Sequence, residues 1–408
     1  MYKRKFIMYG NAMNPYEKYQ NIVFYGLPAY GHINPTLSLI SELVRCNYRV
    51  IYYASEEYRT EIESHGAEFR AYNFQNVEWN PQIGSQILQL TELILRFSNE
   101  QLETLLAQVK ELQPVLIMHD TLAFWGRVVA DAMGIKAASV NAIITTHQYT
   151  SKTFWLYTTH FIGKLLFEYK AIRNIIKYRN KIYKRYPVKN HKVLGLLMNE
   201  ERLNIYTYPR LIHPDADKLK NNCFFLGPAV IHRNDLYQGE EEYKYDNLIY
   251  VSLGTIFNDN IKFYKTIFSA FANTKYVVVI SCGNSYDKLI KENLPGNIIL
   301  KSYVNQKKIF KNAILFITAG GMNSICEAVS NRVPCLCYPQ QGEQAINAKY
   351  LKKLGLGDIL KKECELMKAA ENLLEHYCPE PELIREFLTV YMNELIERLM
   401  IYISEKEN

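Results

Sequence analysis

A short segment between residues 314 and 327 combines residue types that can bind a phosphate group. Its first four residues are apolar and predict a buried parallel strand, after which a tight glycine turn and the start of a helix follow. Backbone N–H groups and the positive end of the helix dipole meet at such a turn, so it can hold phosphate oxygens. The residues of interest at the turn are Gly320, Gly321, Asn323 and Ser324. An ordinary strand–turn–helix joint has the same pattern, so this segment alone favours phosphate binding only modestly.

Other motifs surround this segment in a fixed order. Gly31-His32-Ile33-Asn34-Pro35 follows the first predicted strand and opens the first helix. A second apolar strand, residues 249–255, ends in a turn of small residues, and Tyr303-Val304-Asn305-Gln306 precedes the glycine turn. Tyr338-Pro339-Gln340-Gln341-Gly342-Glu343-Gln344 comes after it. Several motifs in order are far more specific than any one of them.

Taken together, these motifs resemble those of the family 1 glycosyltransferases, the UDP-glycosyltransferase superfamily. The similarity is greatest to the bacterial macrolide-type branch, and it extends from about residue 21 to about residue 357. The resemblance implies an α/β fold of the GT-B type, in which two Rossmann-like, doubly wound parallel-sheet domains face each other across a cleft. It also implies nucleotide-sugar binding in the second half and natural-product glycosylation as the function.

The alternation of predicted strands and helices agrees with two parallel sheets. Strands are predicted at 21–27, 49–54, 115–118 and 137–141, and then at 248–253, 276–281, 298–301, 313–318 and 335–338. The expected division is a flexible N-terminal extension at 1–20, an acceptor-binding domain at 21–225, a linker at 226–246, a nucleotide-sugar-binding domain at 247–379, and a C-terminal helix at 380–408 that returns to the first domain. We expect the ligands between the domains, at the carboxyl ends of the strands.

Composition favours a cytoplasmic protein of two domains. The chain has 408 residues, of which 48% are hydrophobic and 22% charged, as in an ordinary globular protein. Its eight cysteines show neither a CxxC motif nor metal-ligand spacing, so we interpret them as reduced core thiols. The first twenty residues lack the apolar region of a secretory signal, and no apolar segment is long enough to span a bilayer.

The net charge of +7 comes from one segment. Between Lys164 and Tyr186, eight basic residues stand against one acidic residue, and that excess equals the charge of the whole chain. Apolar residues recur there at near-helical spacing, which predicts a basic amphipathic helix. The favoured interpretation is a solvated face on a helix that covers the acceptor cleft. Peripheral contact with an anionic membrane through Lys164–Arg185 stays open, whereas nucleic acid is not expected without a recognised binding module.

Transfer of a sugar to a hydroxyl group needs a base, and His32 is the candidate. Its pKa lies near working pH, and it follows the first strand in a turn facing the expected cleft. Asp120 ends another strand and can orient the imidazole. The alternatives are a helix-entry residue for His32 and an N-cap for Asp120. The resemblance implies that the two residues are the catalytic dyad.

The resemblance assigns the donor site to the second half of the chain. Tyr303 stands where the family has an aromatic residue, most often Trp, that stacks on the base, and the backbone of Val304 would contact the base edge. Gln306 fits the same motif. Glu327 matches the residue that binds the ribose hydroxyls; the alternative is a solvated helix residue. Ser252 and Thr255 resemble the turn of small residues that lies near the phosphates in the family. Glu343 and Gln344 match the pair that holds the hydroxyls of the donor sugar.

Ala319 departs from the family pattern, because a phosphate-binding His usually precedes the two glycines. A charge-assisted hydrogen bond contributes about 1.5–3 kcal/mol. Three interpretations follow: backbone N–H groups and a nearby Lys or Arg compensate for the loss, the donor is unusual, or the chain is an impaired homologue that acts as a binding or accessory protein. We favour an active enzyme because the other predicted site residues are present.

Neither a cofactor nor a metal is expected, and the nucleotide sugar is a co-substrate. Asp215-Ala216-Asp217 has the form of a metal-binding motif but lies in a connection away from the expected cleft. Direct displacement would invert the anomeric centre. UDP-glucose is the default donor, with dTDP-sugars open, and the aromatic residues of the acceptor loops suggest a hydrophobic small molecule. A membrane-associated transferase with a lipid acceptor is a further alternative, and the sequence does not predict the oligomeric state.

Overall fold

The computed structural model describes residues 19–74, 87–144, 169–188, 200–232, 242–254 and 258–405. Strands in the first half are β1 Gln20–Tyr25, β2 Tyr48–Ala54, β3 Glu68–Ala71, β4 Leu116–Asp120, β5 Ala137–Asn141, β6 Leu203–Tyr206 and β7 Cys223–Phe225. Those in the second half are β8 Leu248–Ser252, β9 Val277–Ser281, β10 Ile298–Lys301, β11 Ala313–Thr318, β12 Cys335–Cys337 and β13 Gly357–Ile359.

Helices connect these strands. In the first half they are α1 Tyr30–Ile33, α2 Leu37–Arg45, α3 Arg59–Ser64, α4 Ile87–Leu112, α5 Phe124–Met133 and α6 Tyr169–Arg185. In the second half they are α7 Ile261–Phe271, α8 Tyr286–Leu289, α9 Gln306–Ile309, α10 Met322–Ser330, α11 Gly342–Lys353, α12 Leu366–His376, α13 Pro381–Leu388 and α14 Met392–Ser404. Among the described residues, no helix is both long and apolar enough to cross a lipid bilayer.

The strands form two parallel sheets with the same winding. The first sheet has the order β3-β2-β1-β4-β5-β6-β7 and the second the order β10-β9-β8-β11-β12-β13. In each sheet the order reverses next to the first strand, between β1 and β4 and between β8 and β11. Helices leave these strands in opposite directions and open a crevice at the carboxyl ends, where ligands bind in doubly wound folds.

Burial explains why the central strands read as continuous apolar runs. All residues of β4, β5 and β8 are buried, because helices cover both faces of each sheet. The predicted strands correspond to β1, β2, β4, β5 and β8–β12, and their ends coincide or differ by at most two residues. Four strands were not predicted, namely β3, β6, β7 and β13; each has only three or four residues, too few for a clear periodicity.

The C-terminal segment differs from the single helix that we expected at 380–408. It forms two helices, α13 and α14, separated by residues 389–391. Phe387 of α13 packs into the core of the second domain. Leu395 and Leu399 of α14 pack into the core of the first domain, where the Tyr402 hydroxyl donates to the carbonyl oxygen of Ala137 at 3.0 Å. This segment therefore contacts both domains.

Candidate active site

A cavity of about 750 Å³ lies between the two sheets, at the carboxyl ends of their strands. Both halves of the chain contribute to its wall. The histidine and carboxylate side chains among its described lining residues are His32, Glu57, Glu61, Glu327 and Glu343. Neither Lys nor Arg is present in this part of the wall.

His32 and Asp120 meet at one end of this cleft. His32 lies in α1, directly after β1, and Asp120 is the last residue of the neighbouring strand β4. His32 Nδ1 is 2.7 Å from Asp120 Oδ2, and the exposed fractions of the two side chains are 12% and 2%. The other carboxylate oxygen, Oδ1, accepts a hydrogen bond from the backbone N–H of Leu122 at 2.8 Å. Asp120 is therefore fixed at both oxygens, and His32 Nε2 is left for a ligand.

The environment raises the pKa of His32 above its ordinary value. Burial alone lowers the pKa because it disfavours the charged imidazole. The charge of Asp120 and its hydrogen bond to the ring outweigh that effect, and the more distant charge of Glu343 adds to it. An imidazole that becomes charged during a reaction is therefore stabilised at this position.

A second polar cluster lies behind Asp120, and the sequence analysis missed it. His119 is fully buried, with Nδ1 3.0 Å from the carbonyl oxygen of Asp120 and Nε2 3.2 Å from Glu201 Oε1. The Arg127 guanidinium lies 3.7 Å from the same Glu201 oxygen. These contacts tie the end of β4 to the segment before β6. The one feature of the sequence that could have indicated this cluster is the adjacent pair His119 and Asp120 at the end of a predicted strand.

The glycine turn adopts the geometry expected for phosphate. Gly320 has φ +89°, a conformation that side chains other than glycine rarely adopt, and its N–H donates to Thr318 Oγ1 at 3.2 Å. Gly321 is the N-cap of α10, and a Cβ added to it would meet nothing within 4 Å. The first N–H groups of α10 therefore face open space in the cleft.

Two residues assigned to the donor site do not line the cleft. Ala319 is 1% exposed and packs in the core of the second sheet. Gly320 shapes the turn, while Gly321 and the first residues of α10 form the surface. The expected Lys or Arg in place of the missing His is also absent from the described wall. Neutral donors remain, namely the N–H groups of the turn and the side chains of Ser252, Asn323 and Ser324.

Asn323 connects the two halves across the cleft. Its Nδ2 donates to the carbonyl oxygen of Gly31 at 3.1 Å, next to His32. We assigned Asn323 to the phosphates from the sequence, and the structure adds a contact with α1, which carries the candidate base. The segment that follows the glycine turn and the segment that carries His32 are thereby in direct contact.

The predicted nucleotide contacts lie together at the other end of the cleft. Tyr303 is 57% exposed and lines the wall beside Val304, which is 2% exposed. Gln306 Nε2 donates to Glu327 Oε2 at 2.8 Å, which orients a carboxylate that is 2% exposed. The Asn305 side chain accepts a hydrogen bond from the Lys308 N–H and caps α9.

Glu343 and Gln344 lie in the first turn of α11 and line the cleft near His32. Gln344 Oε1 accepts from the backbone N–H of Gln340 at 2.8 Å, so its amide nitrogen can serve a ligand. Burial raises the pKa of Glu343, against smaller lowering effects from a hydrogen bond with Asn347 and from the charge of His32.

Asn347 is a second residue that the sequence analysis missed. It is fully buried, and its Nδ2 donates to Glu343 Oε1 at 2.7 Å and to the carbonyl oxygen of Gly320 at 3.0 Å. One amide group therefore contacts both the predicted sugar-binding carboxylate and the glycine turn. The sequence could have indicated the contact with Glu343, because residues four positions apart in a helix are neighbours on its surface.

Other assignments fall at the edges of the described chain or away from the cleft. Ser252 lines the wall and its Oγ accepts from the Gly254 N–H at 3.3 Å, whereas Thr255 lies outside the described residues. The expected acceptor loops are mostly outside them as well. Asp215 and Asp217 form ion pairs with Lys218 and Arg210, each at 2.9 Å.

Comparison with known proteins agrees with this architecture. Residues 254–386 match the family model "Glycosyltransferase family 28 C-terminal domain". The chain is 29% identical over 360 residues to NDP-glycosyltransferase YjiC of Bacillus licheniformis, covering 85% of this chain and 86% of that protein. It is 23% identical to demethyllactenocin mycarosyltransferase of Streptomyces fradiae, covering 83% and 75% of the two chains. The crystal structure of the glycotransferase of kitacinnamycin superposes with a TM-score of 0.75 at 23% identity, covering 94% and 96%. The GT-B fold predicted from the sequence is thereby confirmed.

Proposed function

Because the chain belongs to the family 1 glycosyltransferases of the bacterial macrolide type, we propose that it transfers a sugar from a nucleotide donor to a hydroxyl of a hydrophobic small molecule. The reaction is inverting and needs no metal, and UDP-glucose is the default donor. The observation that carries this proposal is the 2.7 Å contact of His32 Nδ1 with Asp120 at the wall of the interdomain cleft.

His32 acts as the general base. A carboxylate only accepts hydrogen bonds, so Asp120 holds the tautomer with the proton on Nδ1 and leaves the lone pair on Nε2. Nε2 takes the proton of the acceptor hydroxyl while its oxygen attacks the anomeric carbon. The bond from that carbon to the diphosphate oxygen breaks, and the electron pair leaves with the nucleoside diphosphate. Attack opposite the leaving group converts an α-linked donor into a β-glycoside.

The diphosphate is stabilised by neutral donors. The first N–H groups of α10, at the positive end of its dipole, point into the cleft and supply what a cation would otherwise supply. Ser252 and Ser324 add hydroxyl groups nearby. The open space beside Gly321 allows a close approach of the phosphate oxygens.

The rest of the donor is held on either side of this turn. Tyr303 stacks on the base, Glu327 binds the ribose hydroxyls, and Glu343 and Gln344 bind the sugar. Gln306 and Asn347 keep two of these carboxylates in place through hydrogen bonds of 2.8 and 2.7 Å. Stacking tolerates different bases, so uridine and thymidine diphosphates are both to be tested.

An accessory protein without catalytic activity is the competing interpretation of Ala319. The ordered His32–Asp120 pair supports an active enzyme, because a binding protein does not require a base with an orienting carboxylate. The lipid-acceptor alternative has no separate support at the cleft.

The test measures release of nucleoside diphosphate from a panel of UDP- and dTDP-sugars with a promiscuous phenolic acceptor. We compare the wild type with His32→Ala and with His376→Ala, which changes an exposed histidine far from the cleft. Release that requires both the acceptor and His32 supports the proposal and identifies the donor. Donor binding without release in the wild type, or equal release from His32→Ala, contradicts it.

A further inference from the structure

The basic helix predicted from the sequence is α6, and one face of it is firmly attached to the first domain. Ala171, Ile175 and Ile182 are buried against α4. Asn174 Nδ2 donates to Glu92 Oε1 at 2.6 Å, and Arg185 forms an ion pair with Glu103 at 3.0 Å. The helix therefore presents its opposite face at a fixed orientation. Residues 164–168, the start of the predicted basic segment, lie outside the described residues.

The outer face carries a row of cations. In a helix with 3.6 residues per turn, the five basic residues on it fall within one broad stripe along about 21 Å of helix. No carboxylate of the described chain lies within ion-pair distance of any of them. They are Lys170, Arg173, Lys177, Lys181 and Lys184. The five cations therefore repel one another without a neutralising carboxylate from the described chain.

Apolar side chains border this row. Tyr169 is 68% exposed and Ile176 is 50% exposed. They are seven residues apart and so lie on one line along the helix, beside the cations. Single exposed apolar residues are ordinary, but two in line at the edge of five cations form the pattern of an interfacial helix.

We propose that the outer face of α6, defined by these five cations with Tyr169 and Ile176, docks on the surface of an anionic lipid bilayer. The cations attract the headgroups, and the two apolar side chains enter the boundary between headgroups and acyl chains. A nucleic acid or an acidic protein surface would satisfy the charges but would leave the apolar edge in water. This inference concerns how the protein is located and is independent of the reaction in its cleft.

The first experiment is cosedimentation of the full chain with vesicles. We expect binding to vesicles of phosphatidylcholine and phosphatidylglycerol in equal parts, none to phosphatidylcholine alone, and a fall in binding as salt rises. The test variant is K170Q/R173Q/K177Q/K181Q. Since each cation near an anionic surface contributes about fivefold in affinity, the variant should lose on the order of 10²- to 10³-fold.

The matched control is K311Q/K349Q/K361Q/K368Q, which removes the same charge from exposed positions of the second domain. It should retain most of the binding. Equal losses in the two variants would show a non-specific effect of net charge and would overturn the proposal, as would an absence of binding by the wild type at low salt. Circular dichroism checks that both variants are folded.

A second pair of variants distinguishes binding to a membrane from binding to a soluble polyanion. Ile176→Ser should weaken vesicle binding but leave retention on heparin unchanged, because only a bilayer accepts the side chain. Ile401→Ser changes an isoleucine that is 61% exposed on α14 and should affect neither. Vesicle binding unaffected by Ile176→Ser, with retention on heparin lost in the four-cation variant, would assign the face to a soluble polyanion instead.

Discussion

At the scale of single residues, the proposed reaction depends on how a buried imidazole is kept ready to accept a proton. Burial disfavours the charged ring of His32, and the Asp120 carboxylate reverses that preference. Asp120 is itself fixed by the N–H of Leu122, so the orientation of the ring follows from the end of β4. The proposed base thus owes its tautomer, and most of the rise in its pKa, to the Asp120 carboxylate.

Asp120→Asn removes the negative charge while keeping the size of the side chain. We expect the rate to fall by roughly 10³- to 10⁴-fold, as when an orienting carboxylate is lost from other catalytic dyads and triads. The pKa of His32 should fall, because burial remains and the main opposing charge is gone. The acid limb of the profile of kcat/KM against pH therefore moves to lower pH. A limb that moves to higher pH contradicts the assignment, and Asp217→Asn, at an exposed carboxylate, serves as the control.

Asn347 joins two parts of the proposed donor site through one buried amide. Asn347→Ala leaves Glu343 and the carbonyl oxygen of Gly320 without this donor, and a buried hydrogen bond contributes about 0.5–1.5 kcal/mol. We expect the affinity for the donor sugar to fall about 5- to 50-fold while the KM of the acceptor is unchanged. Calorimetric titration with UDP and with UDP-glucose measures this, with exposed Asn372→Ala as the control. An effect on the acceptor alone would be inconsistent with this role.

At the scale of elements, the turn between β11 and α10 contains two adjacent glycines with different properties. Gly320 has φ +89°, and a Cβ there would lie 3.2 Å from the carbonyl oxygen of Gln344. Gly321 has φ −64°, which alanine adopts readily, and its Cβ would point into open space. We therefore expect Gly320 to be needed for the backbone conformation and Gly321 for binding of the ligand.

Gly320→Ala should therefore destabilise the protein by about 1–2 kcal/mol and lower the melting temperature. Gly321→Ala should keep the melting temperature but weaken UDP binding by about tenfold or more, since its methyl group occupies the place of the phosphates. Thermal unfolding and UDP titration of both variants give the comparison. If Gly321→Ala binds UDP as the wild type does, the diphosphate does not lie at this turn.

The sequence predicted the elements that are long or chemically marked. β1, β4, β8 and β11 each contain an apolar run, and the motifs at their ends identified most of the cleft wall. Residues whose role depends on distant partners could not be predicted: Asn347 is an ordinary helix residue until Gly320 folds against it. The position of Ala319 in the core and the absence of Lys and Arg from the described wall also required the three-dimensional arrangement.

At the scale of the whole molecule, the relative position of the domains determines whether base and donor meet. Tyr208 and Ile212 of the first half share a core with Tyr250 and Met322 of the second, and Asn323 reaches Gly31 across the cleft. The C-terminal segment adds a second connection, because α13 packs on one domain and α14 on the other. The chain thus crosses between the domains twice.

Because α14 packs on the first domain, a substitution in its buried face should affect the stability of the fold but not binding of the donor. Leu399 is 1% exposed in the core of the first domain, and truncating a buried leucine costs about 2–5 kcal/mol. Leu399→Ala should lower the unfolding temperature in calorimetry but leave UDP affinity unchanged at temperatures where the variant is folded, because the proposed nucleotide site lies in the other domain. Ile401→Ala, two residues away and 61% exposed, should change the free energy of unfolding by less than about 0.5 kcal/mol. Equal changes in the free energy of unfolding from the two substitutions would mean that α14 does not pack on the first domain through Leu399. A loss of UDP affinity in folded Leu399→Ala would mean that the first domain sets the geometry of the nucleotide site.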